Sequence, residues 1–311
     1  MKLTNEIVIA AAKELNFDLV GFARADNLNT EVRHLEEWLG KKYNAGMSYM
    51  ERNTRKRLDI REIFPDAKGI ISLGMNYYTG ERHDYIENSG KVSRYAWGTD
   101  YHNIMWEKLD VFIEKLKETD PLFDARSYVD TGPVMDKAWA IRAGLGWMGK
   151  HSNIISMEYG SWFFIATVIT NCEFTCSELK TDHCGTCTRC LDACPTDAIV
   201  SDYVVDANRC ISYLTIENKG EIPEDFKGKF QNWLFGCDIC QEVCPWNNKF
   251  SRATKEDGFY PRPGNKELKI EEVLQMENLE FKERFQRSPI SRAKLRGLKR
   301  NAEFLTEKDF S

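Results

Sequence analysis

The chain has 311 residues, 42% of them hydrophobic and 29% charged, with a net charge of −5. This is an ordinary soluble globular composition with room for two domains, and no run of about 18 apolar residues marks a membrane span. The acidic total argues against bulk nucleic-acid binding, and Met1-Lys2-Leu3-Thr4-Asn5-Glu6 lacks the basic-then-apolar pattern of a secretory signal, so a cytoplasmic protein is expected.

The first part of the chain, to about Asn171, reads as alternating helices and strands. Asn5 to Leu15 is apolar at helical spacing, with Thr4 as its N-cap. Leu19 to Ala23 is a short strand, Thr30 to Leu39 a second helix, and Gly69 to Leu73 a buried strand. Asp100 to Glu118 is a long amphipathic helix whose apolar stripe is Ile104, Leu109, Phe112, Ile113 and Leu116. Ser127 to Val129 is a strand, and Pro133 opens a helix where its missing N–H is harmless. Asn153–Met157 and Trp162–Thr170 are expected to pair with each other, turning at Glu158-Tyr159-Gly160. The stretch from Cys172 to Asn248 is cysteine-rich with short elements. A polar Gly- and Pro-containing segment follows, and Leu268 to Phe304 reads as helical and basic.

Eight of the ten cysteines fall between positions 184 and 244. Without a secretory signal, such density means metal ligation in preference to disulfides. Cys184-x2-Cys187-x2-Cys190-x3-Cys194-Pro195 is the bacterial ferredoxin run, whose fourth cysteine ligates the other cluster. The second half is Cys237-x2-Cys240-x3-Cys244-Pro245, with Cys210 far upstream. On that pattern Cys184, Cys187, Cys190 and Cys244 hold one [4Fe–4S] cluster. Cys194, Cys237, Cys240 and, by elimination, Cys210 hold the other. A pair of zinc sites is the competing reading, but zinc pairs usually show two CxxC knuckles. Cys172 and Cys176 have no such partners and are expected to be free buried thiols. Two adjacent cubanes form an electron wire, and the preceding domain must hold its terminus.

Several further segments resemble the epoxyqueuosine reductase family. They are Tyr128-Val129-Asp130-Thr131-Gly132-Pro133-Val134, then Arg142-Ala143-Gly144-Leu145-Gly146-Trp147-Met148-Gly149-Lys150 and Tyr159-Gly160-Ser161-Trp162-Phe163-Phe164. The ferredoxin run and Cys210-Ile211-Ser212-Tyr213-Leu214-Thr215 complete the resemblance, which covers nearly the whole chain in the family's order. It implies reduction of the epoxide of epoxyqueuosine, at the tRNA wobble position, to queuosine. The reductant would be cob(I)alamin fed by the two [4Fe–4S] clusters. It further implies an α+β fold: a nitroreductase-like cobalamin-binding and catalytic domain over residues 1–171, a ferredoxin-like module over 172–250, and a basic helical tail over 251–311. That tail is expected to be short beside family members with a HEAT-type extension.

The resemblance places the essential acid at Asp130, where a carboxyl whose pKa is raised by burial would protonate the departing oxygen. Without it, Asp130 reads first as a cap for the next helix, in competition with Thr131. Cobalamin contacts are expected from Arg142, Gly144, Gly146, Trp147, Lys150, Ser152 and Asn153, where glycines admit a bulky flat ligand, and from Arg94, Tyr101 and His102. The His-on corrinoid signature D-x-H-x-x-G is approached at Asp100-Tyr101-His102 but fails at Met105.

The basic residues Arg292, Lys294, Arg296, Lys299 and Arg300, with Arg55, Lys56 and Arg57 as a second patch, are the expected contacts to the tRNA anticodon loop; the plain alternative is a solvated helix face. The implied partners are tRNA and an external low-potential donor such as flavodoxin or ferredoxin, and a monomer is expected. A reductive dehalogenase would share the cofactors, but the N-terminus shows no twin-arginine leader. A pure electron carrier would not need so large a domain ahead of the clusters.

Overall fold

The computed structural model describes residues 2–306. In chain order its strands are β1 (Leu19–Arg24), β2 (Gly69–Asn76), β3 (Ser89–Val92), β4 (Ala125–Tyr128), β5 (Trp147–Met148), β6 (Ile154–Ile155), β7 (Phe163–Thr170), β8 (Ile199–Ser201), β9 (Val204–Val205), β10 (Trp233–Phe235) and β11 (Glu267–Lys269). The helices are α1 (Asn5–Glu14), α2 (Asn29–Gly40), α3 (Thr54–Leu58), α4 (Tyr101–Thr119), α5 (Asp136–Arg142), α6 (Arg189–Asp192), α7 (Ile211–Ile216), α8 (Ile239–Glu242), α9 (Pro245–Phe250), α10 (Ile270–Gln275), α11 (Asn278–Phe285) and α12 (Lys294–Thr306).

The main sheet runs β1-β2-β7-β4, antiparallel throughout. Its central strands are nearly continuous apolar runs because helices cover both faces. On one face Ile71, Leu73, Met75, Ala166 and Val168 meet Val8 and Ala12 of α1 and Phe112 and Leu116 of α4. On the other, Ile70 and Ile169 meet Val32 of α2 and Ala138 and Trp139 of α5. Alternation along each central strand thus feeds two separate cores. Helix α4 begins where Asp100 accepts the His102 backbone N–H, and α1 where Thr4 accepts that of Ile7.

A second sheet, β10-β3-β11, takes one strand from the first domain, one from between the cluster cysteines and one from the tail. The cluster module is also fastened to the sheet by the turn before β7. Gly160, at φ +64°, lies so close to Asn247 that a Cβ there would come within 2.1 Å of its Oδ1. The same oxygen accepts the Ser161 backbone N–H, while Gln241 donates to the Ser161 carbonyl. No described helix is long and apolar enough to cross a membrane.

Three local expectations change. Ile154–Ile155 pairs with Trp147–Met148, not with Phe163–Thr170; the latter strand is claimed by β2 and β4, and only the Ser156–Gly160 bridge remains of the expected hairpin. The strand before Asp130 is Ala125–Tyr128. The next helix opens at Asp136, leaving Pro133 in the preceding bends and neither Asp130 nor Thr131 as its cap.

Candidate functional site

The cluster module repeats one device twice. Short helices α6 and α8 each carry a cysteine at their second position, Cys190 and Cys240, and each is followed by a Cys-Pro turn at Cys194 or Cys244. Cys184, Cys187, Cys190 and Cys244 line one cavity of about 170 Å³. Burial, and then the neighbouring Cys244, Cys184 and Cys187, push the Cys190 thiol up to about 11. The second set behaves alike: burial raises Cys240 well above the usual thiol range, and Cys210, Cys190 and Cys194 add to it. Cys237 is likewise raised by burial and then by Cys240 and Cys210. The eight thiols thus lie close together, and burial makes them resist ionisation by proton loss while they accept it readily when iron takes the proton's place.

Cys210 belongs because of its helix. It is the N-cap of α7, and the backbone N–H groups of Tyr213 and Ser212 face its sulfur. Cys244 caps α9 in the same way, with the N–H groups of Trp246 and Asn247 turned to it. Exposed helix N-termini favour a thiolate. Among the described residues no three His, Cys, Asp or Glu side chains converge closely enough for one metal ion. The first quartet instead surrounds a volume, which fits a cubane and its sulfides. Cys172 is half-buried and Cys176 exposed, so neither is the fully buried thiol expected.

Asp130 lies beyond the end of β4 at φ +50°, exposed, with Oδ2 accepting the Tyr101 hydroxyl at 3.0 Å. Tyr101 opens α4 and stacks on Phe164 at 4.1 Å between ring centroids. Burial keeps its phenol protonated, pushed well above the ordinary range, with the Asp130 charge adding to the effect. The burial expected for Asp130 falls on Asp136 instead. The Asp136 carboxyl is pushed up to about 7 by burial, against the hydrogen bond from Thr167 and with the Asp130 charge in support. Thr167 donates to Asp136 Oδ1 at 2.5 Å, and the Asp130 backbone N–H also faces the Asp136 carboxyl.

Lys137 is open to solvent yet crowded by protein. Its Nζ donates to Ser152 O at 2.8 Å and Asn153 Oδ1 at 3.0 Å. Burial pushes its ammonium down, opposed by Asp130, Cys240 and Cys210. One side chain thus feels both the acid and the second quartet. Tyr49, Glu217 and Arg292 complete this cleft: the Tyr49 phenol is raised by burial, then by Glu217 and Asp130, while Arg292 pairs with Glu217 at 2.7 Å.

The other expected cobalamin contacts divide. Ser152 and Asn153 reach the cleft through Lys137, and Tyr101 through Asp130. His102 pairs with Asp100 at 2.8 Å and stacks on Tyr101. Arg94 donates to the Glu81 carbonyl and stacks over Trp97; Arg142 pairs with Glu31 at 2.8 Å. The close approach that glycine permits at Gly144 and Gly146 is to the chain itself: a Cβ would come within 2.4 Å of Glu178 O and 2.1 Å of Ile155 O respectively. Trp147 packs on Trp246 and His183, and Lys150 pairs with Asp202 and lines the first cysteine cavity. Trp147 and Lys150 thus serve the first quartet.

The basic tail divides too. Arg300 is structural, donating to the carbonyls of Leu214, Asn218 and Gly220. Arg292 faces the cleft. Lys294 and Arg296 are exposed and Lys299 partly so. In the second patch Arg57 is buried and donates to the Tyr49 and Arg52 carbonyls, leaving Arg55 and Lys56 outside.

These features define a class: an iron–sulfur oxidoreductase in which Lys137 stands between the Asp130 carboxyl and the thiols of Cys210 and Cys240. The family model of the 4Fe-4S double cluster binding domain matches residues 183–247, and that of epoxyqueuosine reductase QueG matches residues 57–131. An epoxyqueuosine reductase of Cellulophaga algicola is 46% identical over 301 residues, 97% of each chain. A crystal structure of epoxyqueuosine reductase with an epoxyqueuosine-modified tRNA-Tyr stem loop superposes with a TM-score of 0.90 at 34% identity, covering 96% of this chain and 80% of that one. The Bacillus subtilis enzyme, captured with its catalytic aspartate loop swung out of the active site, gives a TM-score of 0.89 at 34% identity over the same shares of both chains. The chain belongs to the epoxyqueuosine reductase family.

Proposed function

We propose that this chain reduces the epoxide of epoxyqueuosine in the tRNA wobble nucleotide to give queuosine, with Asp130 as the acid. The observation that carries the assignment of the acid is the Tyr101–Asp130 hydrogen bond at the mouth of a cleft whose Lys137 also senses Cys210 and Cys240. Converting an epoxide to a double bond consumes two electrons and two protons and releases water. Asp130 delivers a proton to the departing oxygen, while Tyr101 fixes Oδ2 and the Asp136 carboxyl holds the Asp130 backbone in its left-handed turn. Electrons come from an external donor such as flavodoxin or ferredoxin, by way of the first thiol quartet, beside exposed His183, and then the second.

We assign cobalamin to the same region. The Nζ of Lys137, steadied by Ser152 and Asn153, offers a polar edge to such a ligand, and His102 is held by Asp100. When bound it supplies a strongly reducing cobalt centre, chemistry that no side chain offers. We assign the cobalamin-binding domain, of nitroreductase-like type, to residues 1–171, the ferredoxin-like module to 172–250 and the helical tail to 251–311. Lys294, Arg296 and Lys299 are the tail residues placed to meet anticodon-stem phosphates, and the target nucleoside must turn outward to enter the cleft. The enzyme works as a cytoplasmic monomer. A carrier of electrons alone would leave the paired carboxyls of the cleft without a purpose.

The test is anaerobic reconstitution with iron, sulfide and cobalamin, then incubation with an epoxyqueuosine-bearing stem loop and a low-potential reductant. Mass spectrometry of the digested RNA should show loss of one oxygen from the nucleoside. An unchanged nucleoside mass, with both cofactors bound, would end this reading.

A further inference from the structure

His151 lies in the loop between β5 and β6 and is only 4% exposed. The backbone N–H of Asn153 donates to its Nδ1 at 3.2 Å. That nitrogen is therefore an acceptor, and the ring proton of the neutral imidazole sits on Nε2. Nε2 is buried and has no partner among the described residues. A buried donor left unpaired is unfavourable, and native proteins rarely leave one so.

The position of the ring supplies the reason. His151 lines the cavity bounded by Cys184, Cys187, Cys190 and Cys244. It packs against Gly149, where a Cβ would come within 2.9 Å of His151 Cε1, so the ring has little room to turn away. Around the second quartet the contacts to sulfur are the Ala198 backbone N–H at 3.2 Å and the Thr196 hydroxyl at 3.7 Å on Cys194, with backbone N–H groups facing Cys210.

We propose that His151 is a positioning residue that donates a hydrogen bond from Nε2 to a sulfur of the first cluster and thereby raises that cluster's reduction potential above the value it would otherwise have. A hydrogen bond to sulfur favours the more negative, reduced cluster. The first cluster then accepts an electron from the external donor more easily, while the second keeps the driving force for the cleft. This inference rests on the iron–sulfur assignment of the quartet, and the experiment separates the two.

The experiment uses the reconstituted protein and begins with an iron and labile-sulfide count, since a wild-type protein lacking both would overturn the cluster assignment itself. With clusters present, EPR-monitored redox titration compares wild type with His151→Phe, which keeps a ring without the donor, and His151→Gln, which keeps a donor. One of the two midpoints should fall in His151→Phe and return toward wild type in His151→Gln, with the other midpoint unmoved. Unchanged midpoints at full iron content would overturn the proposal. Should the Phe variant lose iron, the wild-type contact is read directly. Pulsed EPR of reduced, 15N-histidine-labelled protein, in a His183→Gln background to remove the other histidine of that cavity, should show a histidine nitrogen coupled to the cluster. Absence of that coupling would overturn the proposal equally.

Discussion

The cluster module and the cleft treat buried charge in opposite ways. In the module, burial and mutual repulsion act together: Cys190 is pushed up to about 11, and Cys237 and Cys240 lie well above the normal thiol range. Backbone N–H groups and the Lys137 ammonium oppose this only in part, and an inorganic core would complete the structure. In the cleft the groups satisfy one another. Tyr101 donates to Asp130, Thr167 to Asp136, and Lys137 to Ser152 and Asn153. One region thus gathers thiols whose charge an inorganic core would neutralise, whereas the other pairs its polar groups and holds its acid in place.

The contrast is broken most severely at a cluster ligand. Cys240→Ser should remove about four of about eight irons and abolish turnover, since a cubane needs its full thiol set. Cys190→Ser should remove the other four, and the double variant all eight. An iron count that stays full in either single variant would redraw the quartets. A cleft-side variant such as Asp136→Asn should leave the iron count intact.

The next effect is structural. Arg300→Ala leaves the carbonyls of Leu214, Asn218 and Gly220 without their donor, beside the helix that presents Cys210. The loss should be about 2–3 kcal/mol, visible as a lower urea midpoint. A midpoint equal to wild type would return Arg300 to the surface set.

Asp136 gives a pH signature. Its folded pKa, about 7, lies above that of an ordinary carboxyl, so between about pH 4 and pH 7 the native state holds a proton that the unfolded state has lost. Stability from this group is present at low pH and declines as pH rises through about 7. Asp136→Asn should flatten that part of the stability profile and gain on wild type above neutrality. Parallel profiles for the two proteins would show that the carboxyl is ionised throughout.

The smallest effect belongs to the tail. Reversing Lys294, Arg296 and Lys299 to Glu should weaken stem-loop binding several-fold and reduce its salt dependence, with cluster reduction by an artificial donor unaffected. An unchanged salt slope would make these residues a solvated helix face.

What the sequence revealed depended on distance along the chain. The apolar run of β2 and the Thr4 cap of α1 are local patterns, and each has its counterpart in the fold. Asp136 was hidden because Pro133 is a good first residue for a helix and would have put Asp136 on its surface. Only Thr167, on the central strand, reveals its role. Arg300 looked like one more cation in a basic helix because its carbonyl partners lie about 80 residues earlier. The glycines at Gly144 and Gly146 announced a close approach without saying to what, and the answer was the chain's own backbone. His151 directly follows a recognisable motif, yet nothing in its spacing says that one ring nitrogen is occupied and the other bare.

The most direct test of the account is turnover by Asp130→Asn. The substitution keeps the size of the side chain and an acceptor for the Tyr101 hydroxyl, but removes the acid. Anaerobic single-turnover conversion of an epoxyqueuosine stem loop would be followed by nucleoside mass spectrometry, alongside iron and cobalamin content. The account predicts conversion slowed by roughly 10²–10⁴-fold with both cofactors retained, the scale expected for loss of a general acid. Conversion near the wild-type rate would contradict it.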